Sequence, residues 1–473
     1  MNQNSTPLFD SLMNHINQSP ISFHVPGHKS GSLLLEKGLN IFKDILSIDL
    51  TEISGLDDLH QPEEAILKAE TLLANYYGSR KSFFLVNGST VGNLAMILAV
   101  CSKNDIVIVS RSCHKSVMNG LMLAGAQPVF VTPNIDPDLQ VATYVTESTI
   151  KEAIDQFPNA KAVILTNPNY YGQTYNLTSI ISYAQERGMP VLVDEAHGAH
   201  FGIGDPFPSS ALSCGADIVV QSAHKTLPAM TMGSYLHFQS DLIPMEQVSM
   251  YLKILQSSSP SYPIMASLDL ARAYIASFTN KDVKLLSASI ELWKRELNCI
   301  PQINIVTSKD PNICQDPLKV ILQTRTSLSG YEIQDLLEQN GIYTELADPF
   351  NVLFILPLEK KQLISISDTI KRALSHLPVL QDKKMYPNYH IPSSFPYSYE
   401  ELKSKRTKWV TIEEGIHNLS AETIIPYPPG IPLLLYGERI TAEHINQIKM
   451  LQKMGAKFQG KKVINKLNVM DCE

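Results

Sequence analysis

The 473-residue sequence is short of several features that classify a protein at a glance. It has six cysteines, Cys101, Cys113, Cys214, Cys299, Cys314 and Cys472, and no two of them form a CxxC pair. Six scattered thiols in a chain of this length make no disulfide framework and fit a reducing cytoplasm. Basic residues are not in excess: 39 Lys and Arg stand against 46 Asp and Glu, a formal charge of −7. A nucleic-acid binder normally shows a basic face, so that class is disfavoured. The one basic run, Lys403, Lys405, Arg406 and Lys408 beside Trp409, reads as a solvated surface in so acidic a chain. The N-terminus, MNQNSTPLFDSLMNHINQ, has no charged segment followed by an apolar core, so no signal peptide is visible. The longest apolar runs, Leu94–Cys101 and Val352–Leu358, are far too short to span a bilayer. No period of 20–50 residues recurs, which sets aside solenoids and propellers.

What is present is alternation. Between residues 80 and 240, short β-branched runs are separated by amphipathic stretches. The runs Ser82–Val86, Ile106–Val109, Pro128–Val131, Ala162–Thr166, Val191–Val193, Ile218–Gln221 and Ser234–His237 lack polar alternation, as strands covered on both faces do. Helical patterns lie between them, so the expectation is an α/β fold with a large, mainly parallel sheet. An earlier helix starts at Pro62 with Glu63 and Glu64 in its first turn and is stopped by Gly78. After residue 300 the pattern changes to strands at Leu318–Gln323, Tyr343–Leu346 and Val352–Pro357. A capping box at Ser329 and Glu332 opens a helix among them. This predicts a smaller α/β domain. Residues 381–398, rich in Pro, Tyr and Ser, read as a connector.

Three loops carry unusual chemistry, and each follows a predicted strand, where ligands of open α/β sheets bind. Gly88, Ser89 and Thr90 precede a helix and offer free N–H groups and two hydroxyls to a phosphate. The same triplet is also an ordinary helix cap. Asp194 ends a very apolar strand, where a carboxylate needs a partner. With Glu195, His197 and His200 it hints at a metal, but the order is not the HExxH spacing that sets two histidines on one helix face, so no metal is expected. Lys225 follows a strand beside Ser222 and His224. A lysine in such surroundings can lose its proton and become a nucleophilic amine. A phosphate cradle, an aspartate and a lysine on neighbouring strand ends are what pyridoxal phosphate (PLP) requires.

The chain resembles the PLP-dependent ornithine/lysine/arginine decarboxylases of the aspartate-aminotransferase fold. The stretches that carry the resemblance are FHVPGHKSG (Phe23–Gly31), DLTEISGLDDLH (Asp49–His60), FLVNGSTVGN (Phe84–Asn93) and SRSCHKSV (Ser110–Val117). They continue with TNPNYYG (Thr166–Gly172), VDEAHGAHFG (Val193–Gly202), QSAHKTL (Gln221–Leu227), SSPSYPIMASLD (Ser258–Asp269) and IPYPPGIPLLLYGE (Ile425–Glu438). The resemblance implies PLP fold type I, with an N-terminal segment (1–35), a large PLP domain (36–290), a small α/β domain (291–380) and a C-terminal decarboxylase segment (381–473). It implies that Lys225 bonds the cofactor aldehyde and that Asp194 holds the pyridine nitrogen. Ser89, Thr90 and Ser222 would bind the phosphate. His114 would stack on one ring face with Ala196 against the other, and His224 would lie beside phosphate and substrate.

The resemblance also implies α-decarboxylation of a basic amino acid to CO2 and a polyamine-type amine, in a cytoplasmic homodimer whose active site is shared. The stretch Ser257–Ser258–Ser259–Pro260 would reach the partner subunit's cofactor phosphate, with serine where the family commonly has threonine. Tyr436-Gly437-Glu438 replaces a commoner Pro-Gly-Glu. Glu422 and Glu438 are candidates for the substrate's distal cation, and surface or structural carboxylates are the competing reading. The wing domain of larger relatives is not expected in this chain. Transamination, racemisation or an inert binding role on the same fold are the alternatives, because PLP residues alone do not select the bond that breaks.

Overall fold

The computed structural model describes residues 1–380, 395–426, 431–460 and 463–471. Most of the expected connector (381–394), part of the last family stretch (427–430) and Cys472 lie outside them. Eight strands occupy the first half: β1 (Lys81–Leu85), β2 (Ile106–Ser110), β3 (Gln127–Val131), β4 (Ala162–Thr166), β5 (Gln173–Thr174), β6 (Val191–Asp194), β7 (Ile218–Gln221) and β8 (Ser234–Phe238). Seven lie within a residue or two of the expected runs, and the short β5 is the addition. The fold is α/β with a mainly parallel large sheet.

The chain separates into two compact units. The first comprises Met1–Val100, Leu177–Gly204 and Ser209–Lys281. Its strands run in the order β1-β8-β7-β6, with β6 and β7 parallel and β8 antiparallel to both neighbours. The connection from β7 to β8 holds only the short helix Ala223–Thr226, which makes no crossover, so the chain turns back antiparallel. The apolar helix Gly88–Val100 lies on this sheet. Its Gly92 is needed for close approach: a Cβ there would sit 2.8 Å from both Leu85 Cδ1 and Val220 Cγ1.

Two family-stretch aspartates hold helix starts in the same unit. The Asp57 carboxylate accepts backbone N–H groups of Glu63, Glu64 and Ile66 and so caps the helix Ala65–Tyr77. Burial raises its pKa, but these bonds outweigh that and leave it below its ordinary 3.8. Gly78, at φ +74°, ends the helix as expected. Asp269 accepts the N–H of Leu8, at the start of the helix Pro7–Asn17, and forms a fully buried pair with Arg272 at 2.7 Å.

The second unit comprises Cys101–Asn176, Asp205–Pro208 and Asp282–Glu473. Here β2 is flanked by β3 and β4, all parallel. Its later strands are β9 (Ile303–Val306), β10 (Cys314–Gln315), β11 (Lys319–Thr324), β12 (Leu346–Ala347), β13 (Asn351–Ile355), β14 (Thr407–Thr411) and β15 (Lys466–Met470). They include an antiparallel sheet ordered β12-β13-β11-β9. The helix Gly330–Gln339 begins at the expected Ser329/Glu332 capping box. The C-terminal stretch builds its own core from Ile412, Ile424, Leu434, Ile440, Ile445 and Ile448, with neighbours on the β14–β15 ribbon. Trp409 is exposed and Lys408 pairs with Asp471 at 2.8 Å, as on a solvated face. No described helix is long and apolar enough to cross a membrane.

Candidate active site

In the first unit the site grows from the ends of β6 and β7. Asp194 closes β6, only 2% exposed. Its Oδ2 accepts from Asn93 Nδ2 at 2.9 Å and its Oδ1 from the Ala196 N–H at 3.2 Å. Asn93 lies on the helix that begins at Gly88, so the phosphate-type loop and the aspartate are joined by one hydrogen bond. Gly88 takes φ +74°, and Ser89 and Thr90 stand in the helix's first turn, where N–H groups have no intrahelical acceptor.

Ser222 follows β7 and is fully buried; its N–H reaches Ala196 O at 3.2 Å, and its Oγ has no partner. A buried hydroxyl without a partner is costly and calls for an acceptor. Ser222 stands at the N-cap of the one-turn helix Ala223–Thr226, and His224 and Lys225 lie on it. Both the N–H and Nδ1 of His224 face Gly233 O, at 3.2 and 3.0 Å, so Nδ1 carries the proton and Nε2 is the remaining acceptor. Lys225 Nζ lies 3.1 Å from His197 Nε2. These residues fit PLP: an orphaned hydroxyl and a helix start suit a phosphate, a buried carboxylate suits a ring nitrogen, and the lysine suits an aldehyde.

A buried polar chain supports the β6 end. Glu195 accepts from Ser210 Oγ (2.6 Å), Ala211 N (2.7 Å) and Gln221 Nε2 (2.7 Å). Gln221 thus turns its carbonyl to His237 Nε2 at 3.1 Å, and His237 Nδ1 meets Ser82 Oγ at 2.7 Å. Burial pushes the Glu195 carboxyl up to about 7, against the pull of its three donors. Burial also pushes the His237 imidazole down to about 3.

In the second unit, His114 caps the helix Lys115–Ala124: its Nδ1 accepts from Ser116 N at 3.2 Å. That bond places the neutral ring's proton on Nε2. Three residues earlier, Arg111 donates to Pro432 O (2.7 Å) and Leu433 O (3.0 Å) and pairs with Glu438 at 3.0 Å. Glu438 is fully buried and also accepts from Leu435 N. Its carboxylate is therefore committed to an internal guanidinium, not presented to an incoming cation. Glu422 is half-buried and accepts the Asn468 N–H at 2.9 Å. The sequence reading overlooked Asn93, Arg111 and the contact of His197 with Lys225. Each lies inside a family stretch, and only the three-dimensional pairing reveals its task.

The fold and the first unit's cluster define a PLP-dependent enzyme of fold type I. Family models agree in detail: residues 6–308 match the Orn/Lys/Arg decarboxylase major domain and residues 380–463 its C-terminal domain. The chain belongs to the Orn/Lys/Arg decarboxylase family and is an amino-acid decarboxylase acting on a basic amino acid. It is 47% identical over 467 residues to the uncharacterized protein YaaO of Bacillus subtilis, covering 96% of each chain. It is 33% identical to an arginine decarboxylase of the same organism, covering 97% of this chain and 96% of that one. Among solved structures, a lysine decarboxylase of Francisella novicida superposes with a TM-score of 0.79 at 21% identity, over 98% of this chain and 81% of that one, a likeness of fold.

Proposed function

We propose that the substrate is arginine, decarboxylated at Cα to CO2 and agmatine, in a cytoplasmic homodimer with shared active sites. The observation that supports the chemistry is the convergence of Lys225, Asp194 and the unpartnered Ser222 hydroxyl on adjoining strand ends. The choice of arginine leans on the relative named arginine decarboxylase, a third identical over nearly the whole chain. The five described cysteines form no disulfide with one another, in keeping with the cytoplasmic part of the reading.

In this reading PLP, when bound, supplies an electron sink for the pair left as the Cα–carboxylate bond breaks. Lys225 Nζ is the nucleophilic amine. Asp194 would hold a proton at the pyridine nitrogen, and Asn93 and the Ala196 N–H hold Asp194 in turn. Ser89, Thr90 and Ser222 would hold the phosphate, and Ala196 and His114 would be the residues against the ring. Lys225 Nζ or His224 Nε2 returns a proton to Cα. Glu422 remains the candidate for the distal guanidinium, and Glu438 is read as the anchor of Arg111.

The test is CO2 release from arginine, lysine and ornithine, with a keto-acid acceptor present. Arginine should show the highest kcat/KM, without keto-acid consumption; a preference for lysine or ornithine would overturn the substrate choice. Lys225→Ala should abolish turnover and the visible absorbance of lysine-bound cofactor.

A further inference from the structure

The loop after β6 holds a residue that the functions above do not use. His197 stands three residues beyond Asp194 and is 4% exposed. Its Nε2 lies 3.1 Å from Lys225 Nζ. An ammonium can only donate, so opposite a protonated Lys225 the imidazole nitrogen is the acceptor. A nucleophilic lysine must shed a proton before it attacks, and a neutral imidazole is the side chain best matched to receive one near neutral pH.

The loop is built to keep that ring in place. Glu195 N–H bonds to Val220 O at 2.9 Å, and Gly198 N–H returns to Glu195 O at 2.9 Å, closing a tight turn around Ala196 and His197. The Glu195 side chain is clamped by Ser210, Ala211 and Gln221. Gly198 admits no side chain, because a Cβ would lie 2.6 Å from Glu195 Cγ and 2.8 Å from the Phe201 ring. The turn is thus pinned at Glu195 and at Gly198, and the imidazole between them is held against Lys225 by buried structure.

We propose that His197 is the positioning residue for Lys225: it holds Nζ in place and takes up the proton that Nζ sheds. The Nζ–H bond breaks, the Nε2–H bond forms, and the freed lone pair on Nζ becomes the nucleophile. The proposal rests on the assignment of Lys225 as the residue that bonds PLP.

The experiment uses the full chain stripped of PLP and measures how fast added PLP regenerates the visible band, alongside kcat and KM of the reloaded enzyme. His197→Leu should slow capture by about a hundredfold or more, the size of effect a lost proton acceptor has, and lower kcat with KM within about twofold. His197→Gln keeps a hydrogen-bond acceptor to hold Nζ but takes no proton, so it should leave both capture and kcat slow with KM near wild type. Wild-type capture and kcat in His197→Leu would overturn the proposal, as would full recovery of kcat in His197→Gln. If His197→Leu melts early, His197→Gln alone decides. Lys225→Ala separates the two claims: a visible band surviving in that variant overturns the Lys225 assignment itself, whereas its loss together with an unaffected His197→Leu overturns only the role of His197.

Discussion

Glu438 shows how far a residue's identity and its task can part. Its place in a family stretch, acidic and near the end of the chain, suggests a cation from outside; in the structure the cation is Arg111, 3.0 Å away and itself mostly buried. Removing one partner of a buried pair strands the other charge, a loss of about 3–5 kcal/mol. Glu438→Ala should therefore lower the melting temperature and hasten proteolysis of the C-terminal stretch, as calorimetry and limited digestion would show; an unchanged melting temperature would contradict a buried pair. Glu195 allows a sharper test. Its folded pKa, about 7, lies above the ordinary 4.5, so between these values the folded chain binds a proton that the unfolded chain does not. This contribution is fully present below pH 4.5 and is lost as pH rises through 7, on the order of 3 kcal/mol in all. His237 works in the opposite sense: its value falls from 6.5 to about 3, so its contribution is full above 6.5 and is lost as pH drops toward 3. From pH 4.5 to 6.5 the two slopes oppose each other. Denaturant midpoints of wild type and Glu195→Gln should thus shift in favour of the variant between pH 6 and pH 8, and a pH-independent difference would mean that Glu195 does not titrate there. None of this was legible from the sequence. DEAH hints at a metal until the fold turns Glu195 toward Gln221 and His197 toward Lys225.

The strands that place the site were legible because burial on both faces leaves an unbroken β-branched run, and β4, β6 and β7 have little else. Direction was less so: β8 looks like its neighbours in sequence, but the short link carrying Lys225 makes it antiparallel. In the second unit β12 forms only at Leu346–Ala347, at the end of the expected Tyr343–Leu346 run. Tyr343 is 81% exposed, and apolar character alone cannot locate a two-residue edge strand. The half-exposed β9 showed no usable pattern. Packing between the helix Gly88–Val100 and the sheet gives a direct prediction. Gly92→Ala adds a Cβ 2.8 Å from Leu85 and Val220 side chains, an overpacking cost of about 1–3 kcal/mol. The helix must shift, carrying Ser89 and Thr90 away from the proposed phosphate site and Asn93 away from Asp194. The variant should therefore melt several degrees lower, by about 2–4 °C per kcal/mol for a unit of some 200 residues, and also bind PLP more weakly. Lower stability with unaltered PLP affinity would show that the helix start does not set the cradle.

Assembly is the property that a single chain displays only by what it leaves uncovered. The helix Glu36–Ile48 has no buried residue. Ile41, Phe42 and Ile45 on it are exposed by 73%, 52% and 40%, and Phe23 and Ile21 before it by 94% and 87%. Apolar surface of this kind marks an interface more often than bare surface. Its match in the proposed homodimer is a second copy, and the exposed Ser257–Ser259 stretch of the same unit is what that copy would offer to the active site. Replacing Ile41 and Phe42 by Glu should yield monomers by light scattering, with turnover lost in parallel; a variant that stays dimeric would move the interface elsewhere. Shared sites make a stricter demand. Lys225→Ala subunits and subunits with Ala at Ser257, Ser258 and Ser259 are each expected to fail alone. Mixed and allowed to exchange at random, half the dimers become hybrids, and each hybrid regains one intact site of two, so about a quarter of wild-type activity should return. Two sites that each draw on one subunit only would regain nothing on mixing, and that result would separate a dimer of independent enzymes from a dimer whose active site requires both chains.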